Sequence, residues 1–369
     1  MPPSIYHQLS ILLILLHRLS SSFKLSSTVL KWFRSFLTER SQYIQFRETF
    51  SSVHSVSFGV PQGSVLGPIL FILYISDIID IAKKIDLNVH VFADDIQLYG
   101  ACSPSQVNLL SSRMSACVAA LDSWLKTNSL HLNALKTNLM WIGTRQRLDQ
   151  IDRRPIPVGA HFIHPASSLR CHGFTIDSTL SLSPHVSKIL SSCFGTLRQL
   201  RSVRRSITRP LAISLVTSLV FPKLEYCLSV LSGLPDCQST RLQSVINAAA
   251  RFVDKLSLSS HISSSLQNLQ WPPVKSRIDL RLLLMAYKCL HGLAPAYLSE
   301  LLIPVRHLPG RSNLRSSTAN ALEVPRLRLR TTSRKSFSAA AARAWNQLPP
   351  SISSADSLRL FKAAVIDFL

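Results

Sequence analysis

The sequence predicts an α+β protein, and three kinds of segment support this fold class. Residues 89–99 form a mostly apolar, β-favouring run that two adjacent carboxylates interrupt, which is the pattern of a strand, a turn and a second strand. Residues 59–74 combine a loop rich in Gly and Pro with an apolar helical segment. Longer segments with apolar residues at helical spacing follow, so helices dominate the second half of the chain.

The first sixty residues are predicted to form two helices and two strands. Residues 9–19 contain an apolar run that is too short to span a bilayer, and its start lacks the basic residues of a signal peptide. We therefore expect a buried helix there. Residues 29–37 follow as an amphipathic helix, and residues 43–46 and 53–58 as two strands that lead into the loop at Gly59.

Helices are expected to make up most of the remaining chain. Residues 104–130 carry apolar side chains at helical spacing and should pack beneath the strands. Residues 155–176 contain short strand-like runs broken by Gly and Pro, and residues 185–203, 212–226 and 240–256 are three further helix candidates. A separate helical region begins at Trp271.

The charge balance favours a polyanionic partner. The chain has 41 Lys and Arg residues against 19 Asp and Glu residues, a formal net charge of +22. Hydrophobic residues make up 46% and charged residues 16%, which is not the composition of a disordered polyelectrolyte. The basic residues are spread along helices and loops and are not gathered beside one apolar span, so nucleic acid is favoured over a membrane surface.

Cysteine usage indicates a reducing, intracellular compartment. The seven Cys residues are scattered, odd in number and without a C-x-x-C pair, so a disulfide framework is not expected. His161, His164, Cys171 and His172 lie close in sequence, but their spacing matches no common zinc finger, and a strand pair is the preferred interpretation.

Asp94 and Asp95 are the candidate metal ligands. Neighbouring residues on a flat strand point to opposite faces, whereas a hairpin bend at this position can turn both carboxylates toward one cleft. Two such carboxylates suit Mg²⁺ and hence phosphoryl transfer. The alternative is that the pair makes a polar hairpin turn. Upstream, the loop at Gly59 opens a helix whose free N–H groups would favour a phosphate or nucleotide.

Three motifs in order resemble those of reverse transcriptases. The residues from Gly59 to Tyr74 resemble motif B, Phe92-Ala93-Asp94-Asp95 resembles motif C, and the residues from Leu130 to Thr137 resemble motif D. The match is to the non-LTR, LINE-type branch, and the region after Trp271 resembles the C-terminal tail of the CR1, L2 and Rex families. The resemblance implies RNA-directed DNA synthesis, with an RNA template, a DNA primer or duplex, deoxynucleoside triphosphates and Mg²⁺.

The resemblance also implies roles for individual residues. Asp94 and Asp95 would hold the catalytic metals, and Lys136 would lie near the triphosphate and protonate the leaving pyrophosphate. Gly63 would allow close approach of a ligand because it has no side chain. The other implied contacts are Pro61, Gln62 and Ser64 with the incoming nucleotide and template base, Phe92 and Ala93 with the primer end, and Asn133 in support of the Lys136 loop.

One expected carboxylate is missing. Motif A of this family supplies a third metal-binding Asp, but no Asp precedes Asp77 in this chain, and the earlier acids are Glu39 and Glu48. We therefore expect an N-terminally truncated polymerase that lacks the motif A Asp and the fingers, and that is catalytically inactive. The alternative is a non-catalytic nucleic-acid-binding remnant of such an element.

The resemblance implies a right-hand polymerase fragment in three parts. Residues 1–145 would be a truncated palm, residues 146–260 primer-grip-like strands and a helical thumb, and residues 261–369 a basic, mainly helical region. A charge run around the first thumb helix would follow nucleic-acid phosphates. Its members are Arg198, Arg201, Arg204, Arg205 and Arg209. A second basic patch, expected to bind RNA or DNA backbone, consists of Arg326, Arg328, Arg330, Arg334 and Lys335.

Overall fold

The structure is a computed structural model that describes residues 5–56, 59–60, 63–309, 320–326 and 335–369, with side chains from Leu12 onward. Helices and short antiparallel hairpins together confirm the α+β class. The chain divides into two compact units, Met1–Ser167 and Ser168–Leu369. The predicted division into three parts remains a prediction.

The first unit contains helices that match the apolar periodicity of its sequence. These helices are α1 (Ile5–Ser21), α2 (Ser27–Leu37), α3 (Leu66–Tyr74), α4 (Ile78–Lys84), α5 (Val107–Thr127) and α6 (Arg145–Asp149). The predicted helices at residues 9–19, 29–37 and 104–130 are confirmed as α1, α2 and α5. The apolar helix predicted after the loop at Gly59 is confirmed as α3, which ends at Tyr74, and the chain turns at residues 75–77 before α4 begins.

The strands of the first unit are paired as antiparallel hairpins. They are β1 (Arg40–Gln42), β2 (Gln45–Phe46), β3 (Thr49–Phe50), β4 (His54–Val56), β5 (Asn88–Phe92), β6 (Asp95–Tyr99), β7 (Ile156–Val158) and β8 (His161–Ile163). β1 pairs with β4 and β2 with β3, so residues 40–56 form one ribbon in place of the two longer strands predicted there. β5 pairs with β6, and β7 with β8.

One hydrophobic core holds the first unit together. Its buried members include Leu16 and Leu19 of α1, Leu70 of α3, and Leu121 and Leu125 of α5. One face of the β5–β6 hairpin packs against this core. This hairpin and α5 therefore contribute to the same core, and packing of the residue 104–130 helix directly beneath the strands remains a prediction.

The second unit is mainly helical. It begins with one antiparallel hairpin, β9 (Ser168–Cys171) and β10 (Phe174–Asp177). Its helices are α7 (Ser183–Val203), α8 (Arg209–Leu219), α9 (Phe221–Glu225), α10 (Asp236–Asp254), α11 (Ser263–Asn268), α12 (Val274–Leu290), α13 (Ala296–Ser299), α14 (Phe337–Trp345), α15 (Pro350–Ser353) and α16 (Leu358–Phe368). The single helix expected at residues 212–226 is two helices, because Pro222 lies at the start of α9 and cannot continue the hydrogen-bond ladder of α8.

Two hydrophobic clusters stabilise the second unit. The larger cluster joins α7, α8 and α10, with Cys193, Leu197, Val216 and Ile246 fully or almost fully buried. The other joins α12, α14 and α16 around Phe361, whose ring stacks on Tyr287 with 4.6 Å between the ring centroids. In the part of the chain that the structure describes, no helix is long and apolar enough to cross a bilayer.

Candidate functional site

The β5–β6 hairpin places Asp94 and Asp95 at its bend. Phe92 pairs with Asp95, which leaves Ala93 and Asp94 as a two-residue turn. Ala93 has a φ of +53°, as tight hairpin turns of this length require at a central position. Both aspartates are exposed. The predicted strand, turn and strand is confirmed, with the carboxylates at the change of direction.

The two faces of this hairpin differ in character. Val89 and Val91, with Ile96 and Leu98 opposite them, pack against the core of the first unit. The alternation of side chains puts Phe92 and Asp95 together on the other face. Phe92 is 63% exposed although it is a large aromatic residue. The bend thus presents two carboxylates beside an exposed ring while its base is fixed by burial.

Gly59 and Gly63 have positive φ values in the loop that precedes α3. Their φ values are +70° and +82°, which L-residues with side chains rarely adopt. A Cβ added at Gly63 would meet no atom of the described residues within 4 Å, so among them backbone conformation, not crowding, requires glycine. The predicted close approach of a nucleotide to Gly63 remains a prediction. Pro61 and Gln62 lie outside the described residues.

Ser64 contributes to the start of α3. Its Oγ accepts a hydrogen bond from the backbone N–H of Gly67 at 3.1 Å. This is one of the N–H groups that have no partner inside a helix. Ser64 is half-buried, so its side chain already has a local structural partner at the position where a nucleotide contact is predicted.

Asn133 organises the turn that carries Lys136. The Asn133 Oδ1 accepts hydrogen bonds from the backbone N–H groups of Leu135 at 3.1 Å and Lys136 at 3.2 Å. Thr137 Oγ1 donates to the Asn133 carbonyl at 2.9 Å. Side-chain bonds of this kind mimic a backbone turn. Lys136 itself is exposed.

The carboxylate pair suits a hard cation but is incomplete as a two-metal site. Asp94 and Asp95 supply the oxygen donors that Mg²⁺ prefers. Among the residues that the structure describes, no group of three or more His, Cys, Asp or Glu side chains is arranged to hold a metal ion. The described part of the chain therefore places no third metal-binding side chain beside Asp94 and Asp95.

Sequence reasoning missed a buried arginine in α1. Arg18 is 8% exposed, and its Nε lies 2.9 Å from Asp77 Oδ2. Its Nη1 donates to the Tyr74 carbonyl at 2.6 Å and its Nη2 to Asn128 Oδ1 at 2.8 Å. Its Cζ also lies 4.9 Å from the ring centroid of Tyr74 and 5.0 Å from that of Trp124.

This Arg18 cluster joins the ends of four helices. Arg18 is near the end of α1, Tyr74 ends α3, Asp77 precedes α4, and Asn128 follows α5. A cleft of about 670 Å³ adjoins the cluster, and its lining includes no residue of the β5–β6 hairpin. The sequence signal for this cluster was a charged residue inside an apolar helical run. Because Arg is rarely buried without partners, an Arg at such a position indicates that acceptors lie nearby.

The predicted phosphate-binding arginines fall into two groups. Arg204 donates to the carbonyls of Phe252 at 2.7 Å, Val253 at 2.6 Å and Ile207 at 2.9 Å. Arg209 forms an ion pair with Asp254 at 2.8 Å. Both therefore bind the C-terminal end of α10 within the second unit. Arg198, Arg201 and Arg205 are exposed, as is the Arg209 side chain in spite of its ion pair.

The second predicted basic patch is described only in part. Arg328, Arg330 and Arg334 lie outside the described residues, and Arg326 is exposed. Lys335 donates to the Leu180 carbonyl, and burial lowers the pKa of its ammonium group. The Lys335 ammonium group therefore already has a hydrogen-bond partner within the second unit.

Comparison with known proteins places this geometry in context. Residues 11–176 match the family model of reverse transcriptase (RNA-dependent DNA polymerase), and this segment includes the β5–β6 hairpin and the loops at Gly63 and Lys136. This segment is similar to reverse transcriptases. The relatives are reverse transcriptases of non-LTR retrotransposons at distant identity, which supports the predicted branch. The finer assignment to the CR1, L2 and Rex families remains a prediction.

Three relatives are from Drosophila melanogaster. The probable RNA-directed DNA polymerase from transposon BS is 27% identical over 173 residues, 46% of this chain and 19% of that protein. The probable RNA-directed DNA polymerase from transposon X-element is 23% identical over 230 residues, 60% of this chain and 24% of that protein. The RNA-directed DNA polymerase from mobile element jockey is 24% identical over 206 residues, 53% of this chain and 22% of that protein. The chain therefore matches about a fifth to a quarter of the length of these relatives.

Proposed function

We propose that this chain is a palm and thumb portion of an RNA-directed DNA polymerase of the non-LTR retrotransposon type. The observation that carries the proposal is the pair of exposed carboxylates, Asp94 and Asp95, at the bend of a hairpin within the reverse transcriptase-like segment. In this proposal the template is RNA, the primer is DNA, and the substrates are deoxynucleoside triphosphates. The site of action is intracellular.

Asp94 and Asp95 would hold Mg²⁺ through their carboxylate oxygens. Bound Mg²⁺ would lower the pKa of the attacking hydroxyl and neutralise charge on the leaving pyrophosphate. Phe92, exposed beside Asp95, would support the primer end. The turn held by Asn133 would present Lys136 to the triphosphate, and the loop with Pro61, Gln62, Gly63 and Ser64 would lie against the nucleotide and template base.

We infer that the chain by itself extends a primer negligibly. Two-metal phosphoryl transfer needs carboxylates from two separate strands to hold both ions about 4 Å apart. Asp94 and Asp95 come from one hairpin, and the described residues offer no third ligand. Loss of a ligand should lower the rate by roughly three decades or more. This gap also favours the second candidate function, a nucleic-acid-binding protein without catalytic activity.

Nucleic-acid contact in this proposal runs through the exposed arginines of the second unit. Arg198, Arg201 and Arg205 are exposed at the end of α7 and just beyond it, and Arg204 and Arg209 have partners inside the protein. Guanidinium groups in such a row bind phosphates without reading the base sequence.

Primer extension and metal binding together test the proposal. The full chain is supplied with an RNA template, a DNA primer and Mg²⁺ or Mn²⁺, and we expect no extension above background. Direct Mn²⁺ binding, followed by electron paramagnetic resonance, should be weak in the wild type and lost in the variant with Asp94→Asn and Asp95→Asn. Asp86→Asn is the matched control, because Asp86 is exposed and lies outside the hairpin.

One outcome would contradict the inferred lack of activity, and another would contradict the proposed metal site. Robust extension that Asp94→Asn abolishes would show that the chain completes the site with another acid, such as Glu39 or Glu48. Mn²⁺ binding that is unchanged in the doubly substituted variant would remove Asp94 and Asp95 from the metal site.

A further inference from the structure

The ribbon formed by β1–β4 carries a dense set of exposed apolar side chains. Tyr43 is 57% exposed, Ile44 74%, Phe46 70%, Phe50 57% and Val53 66%. A side chain of this kind that stands alone on a surface needs no explanation, but a contiguous group of them indicates a binding surface. We call these five residues, together with Arg47, the aromatic ribbon.

Backbone pairing makes the aromatic ribbon continuous. Gln45 pairs with Phe50 and Phe46 with Thr49, so the tip is the two-residue turn of Arg47 and Glu48. Ile44 accepts from the Ser51 N–H at 2.9 Å, and the Ile44 N–H donates to Ser51 Oγ at 2.9 Å. The pairing resumes with β1 and β4 after one extra residue on the returning strand.

Each face of the aromatic ribbon presents a ring. Alternation along the strands puts Tyr43 and Phe50 on one face, where their ring centroids are 5.6 Å apart at an angle of 59°. Phe46 lies on the opposite face, and the Arg47 Cζ is 5.5 Å from its ring centroid. The ribbon therefore offers rings on both of its faces, Tyr43 and Phe50 on one and Phe46 beside the Arg47 guanidinium on the other, while Glu48 adds one negative charge at the tip.

Charge decides which occupant fits this surface. A second copy of the chain would bring the same net charge of +22, so long-range repulsion opposes self-association. A polyanion is attracted by that charge. Among polyanions, single-stranded nucleic acid also offers unpaired base faces that can stack on exposed rings, whereas the bases of a duplex are covered by their neighbours.

We propose that the aromatic ribbon binds single-stranded nucleic acid by stacking unpaired bases on Tyr43, Phe46 and Phe50. Arg47 contributes through its charge and its contact with the Phe46 ring. None of its residues belongs to the Asp94–Asp95 bend or to the exposed arginines near the end of α7. The proposal needs no polymerase activity, so it goes beyond the proposed function and can hold if that function fails.

The test compares single-stranded and duplex binding by the full chain. Fluorescence anisotropy is measured with a labelled unstructured oligonucleotide and with the matching duplex at low salt. We expect the variant with Phe46→Ala and Phe50→Ala to bind the single strand at least about tenfold more weakly, because each stacked base contributes roughly 1–3 kcal/mol, which is fivefold or more per ring. Duplex affinity should stay within about twofold of the wild type.

Two further variants act as controls. Phe46→Trp keeps a stacking ring and should retain single-strand affinity. Tyr297→Ala removes an aromatic side chain of similar exposure, 56%, from the second unit and should leave both affinities unchanged. Because the substituted residues are exposed, we expect all variants to keep the wild-type thermal unfolding profile.

Several results would overturn the proposal. Unchanged single-strand affinity in the double variant would do so, as would an equal loss of single-strand and duplex binding. A concentration-dependent dimer in sedimentation that the double variant abolishes would assign the ribbon to a second copy. Binding to phosphatidylserine vesicles that depends on Phe46 and Phe50, with single-strand binding unaffected, would assign it to a membrane surface. The proposed function is judged separately, by Mn²⁺ binding at Asp94 and Asp95.

Discussion

Arg18 shows how one buried side chain fixes several helix ends in the first unit. Its guanidinium donates to Asp77, to the Tyr74 carbonyl and to Asn128. Its Cζ also lies 4.9 Å and 5.0 Å from the ring centroids of Tyr74 and Trp124. A charge is tolerated at 8% exposure because nearly all its interactions with water are replaced. Removing it leaves three acceptors without this donor.

We predict that Arg18→Ala destabilises the protein by about 2–4 kcal/mol. Asp77 keeps 41% of its side chain exposed, so water recovers part of the loss and the effect stays below that of a fully buried pair. Chemical denaturation followed by far-ultraviolet circular dichroism measures the change. Lys31→Ala, an exposed position on α2, is the control, and an equal effect of both substitutions would contradict the structural role of Arg18.

His185 is a second residue whose setting depends on tertiary structure. Its Nδ1 accepts from the Thr175 N–H at 3.3 Å, and its Nε2 is buried with no hydrogen-bond partner among the described residues. Its ring centroid lies 3.9 Å from that of Phe174. Burial, followed by the charge of Lys188, lowers the pKa of the His185 imidazole below its usual 6.5. The folded protein therefore favours the neutral ring.

The pKa of His185 predicts the direction of a pH effect on stability. Because the pKa is lower in the folded than in the unfolded state, the unfolded state binds the proton more tightly below about pH 6.5. The stability that the neutral ring supports is present above that pH and is lost as the pH falls toward the folded pKa.

We therefore expect His185→Gln to lose less stability than the wild type between about pH 7.5 and about pH 5. Asp177 has a lowered pKa as well, because its hydrogen bonds outweigh the opposite effect of burial, and it contributes to both proteins equally. Denaturant midpoints at each pH provide the measurement. Parallel pH profiles for the two proteins would show that His185 does not titrate in this way.

At the scale of the element, the end of α10 explains why a run of arginines has mixed roles. The last carbonyls of a helix have no partner inside it. Arg204 binds the carbonyls of Phe252 and Val253, and Arg209 binds Asp254, so these two side chains join the α7–α8 region to α10. Arg198, Arg201 and Arg205 belong to the same run in sequence, but their side chains are exposed.

A matched pair of substitutions separates these roles. We predict that Arg204→Ala destabilises the second unit by about 2–3 kcal/mol, because several carbonyls lose a charged donor. Arg201→Ala should change stability by less than about 0.5 kcal/mol but weaken binding to duplex nucleic acid. Thermal unfolding and anisotropy titrations are carried out on both variants. The reverse pattern would mean that Arg204, and not Arg201, faces the nucleic acid.

At the scale of the whole molecule, a net charge of +22 on two compact units governs association. Lys and Arg residues that neutralise phosphates release counterions, so affinity falls as the salt concentration rises. Little of this binding should depend on base sequence, because phosphate contacts carry no sequence information.

We predict weak, sequence-independent binding of duplex nucleic acid that decreases linearly on a plot of log affinity against log salt. The variant with Arg201→Glu and Arg205→Glu should bind all sequences more weakly and reduce the slope by roughly two, about one for each phosphate contact. Lys31→Glu with Lys84→Glu is the control for net charge, since both residues are exposed and lie in the first unit. A slope that changes equally in both variants would assign the effect to net charge alone.

The sequence by itself determined the fold class, most helices and the bend that carries Asp94 and Asp95. Those features follow from local patterns: helical spacing of apolar residues, β-favouring runs, and the conformational limits of Gly and Pro. The order of the motifs also predicted the similarity to reverse transcriptases that residues 11–176 show. Local patterns failed at the helix break before Pro222 and at the split ribbon of residues 40–56, where turn geometry overrode the length of the apolar run.

Only the tertiary structure decided which charged side chains bind partners within the protein and which face solvent. Arg18 and Arg204 look like ordinary surface arginines in sequence, but their partners are 59 residues away at Asp77 and 48 residues away at Phe252. Likewise, the sequence does not indicate that Tyr43, Phe46 and Phe50 are exposed, because aromatic residues usually lie in a core. The physical reason is that burial and pairing depend on contacts between segments distant in sequence, whereas secondary structure depends largely on neighbours.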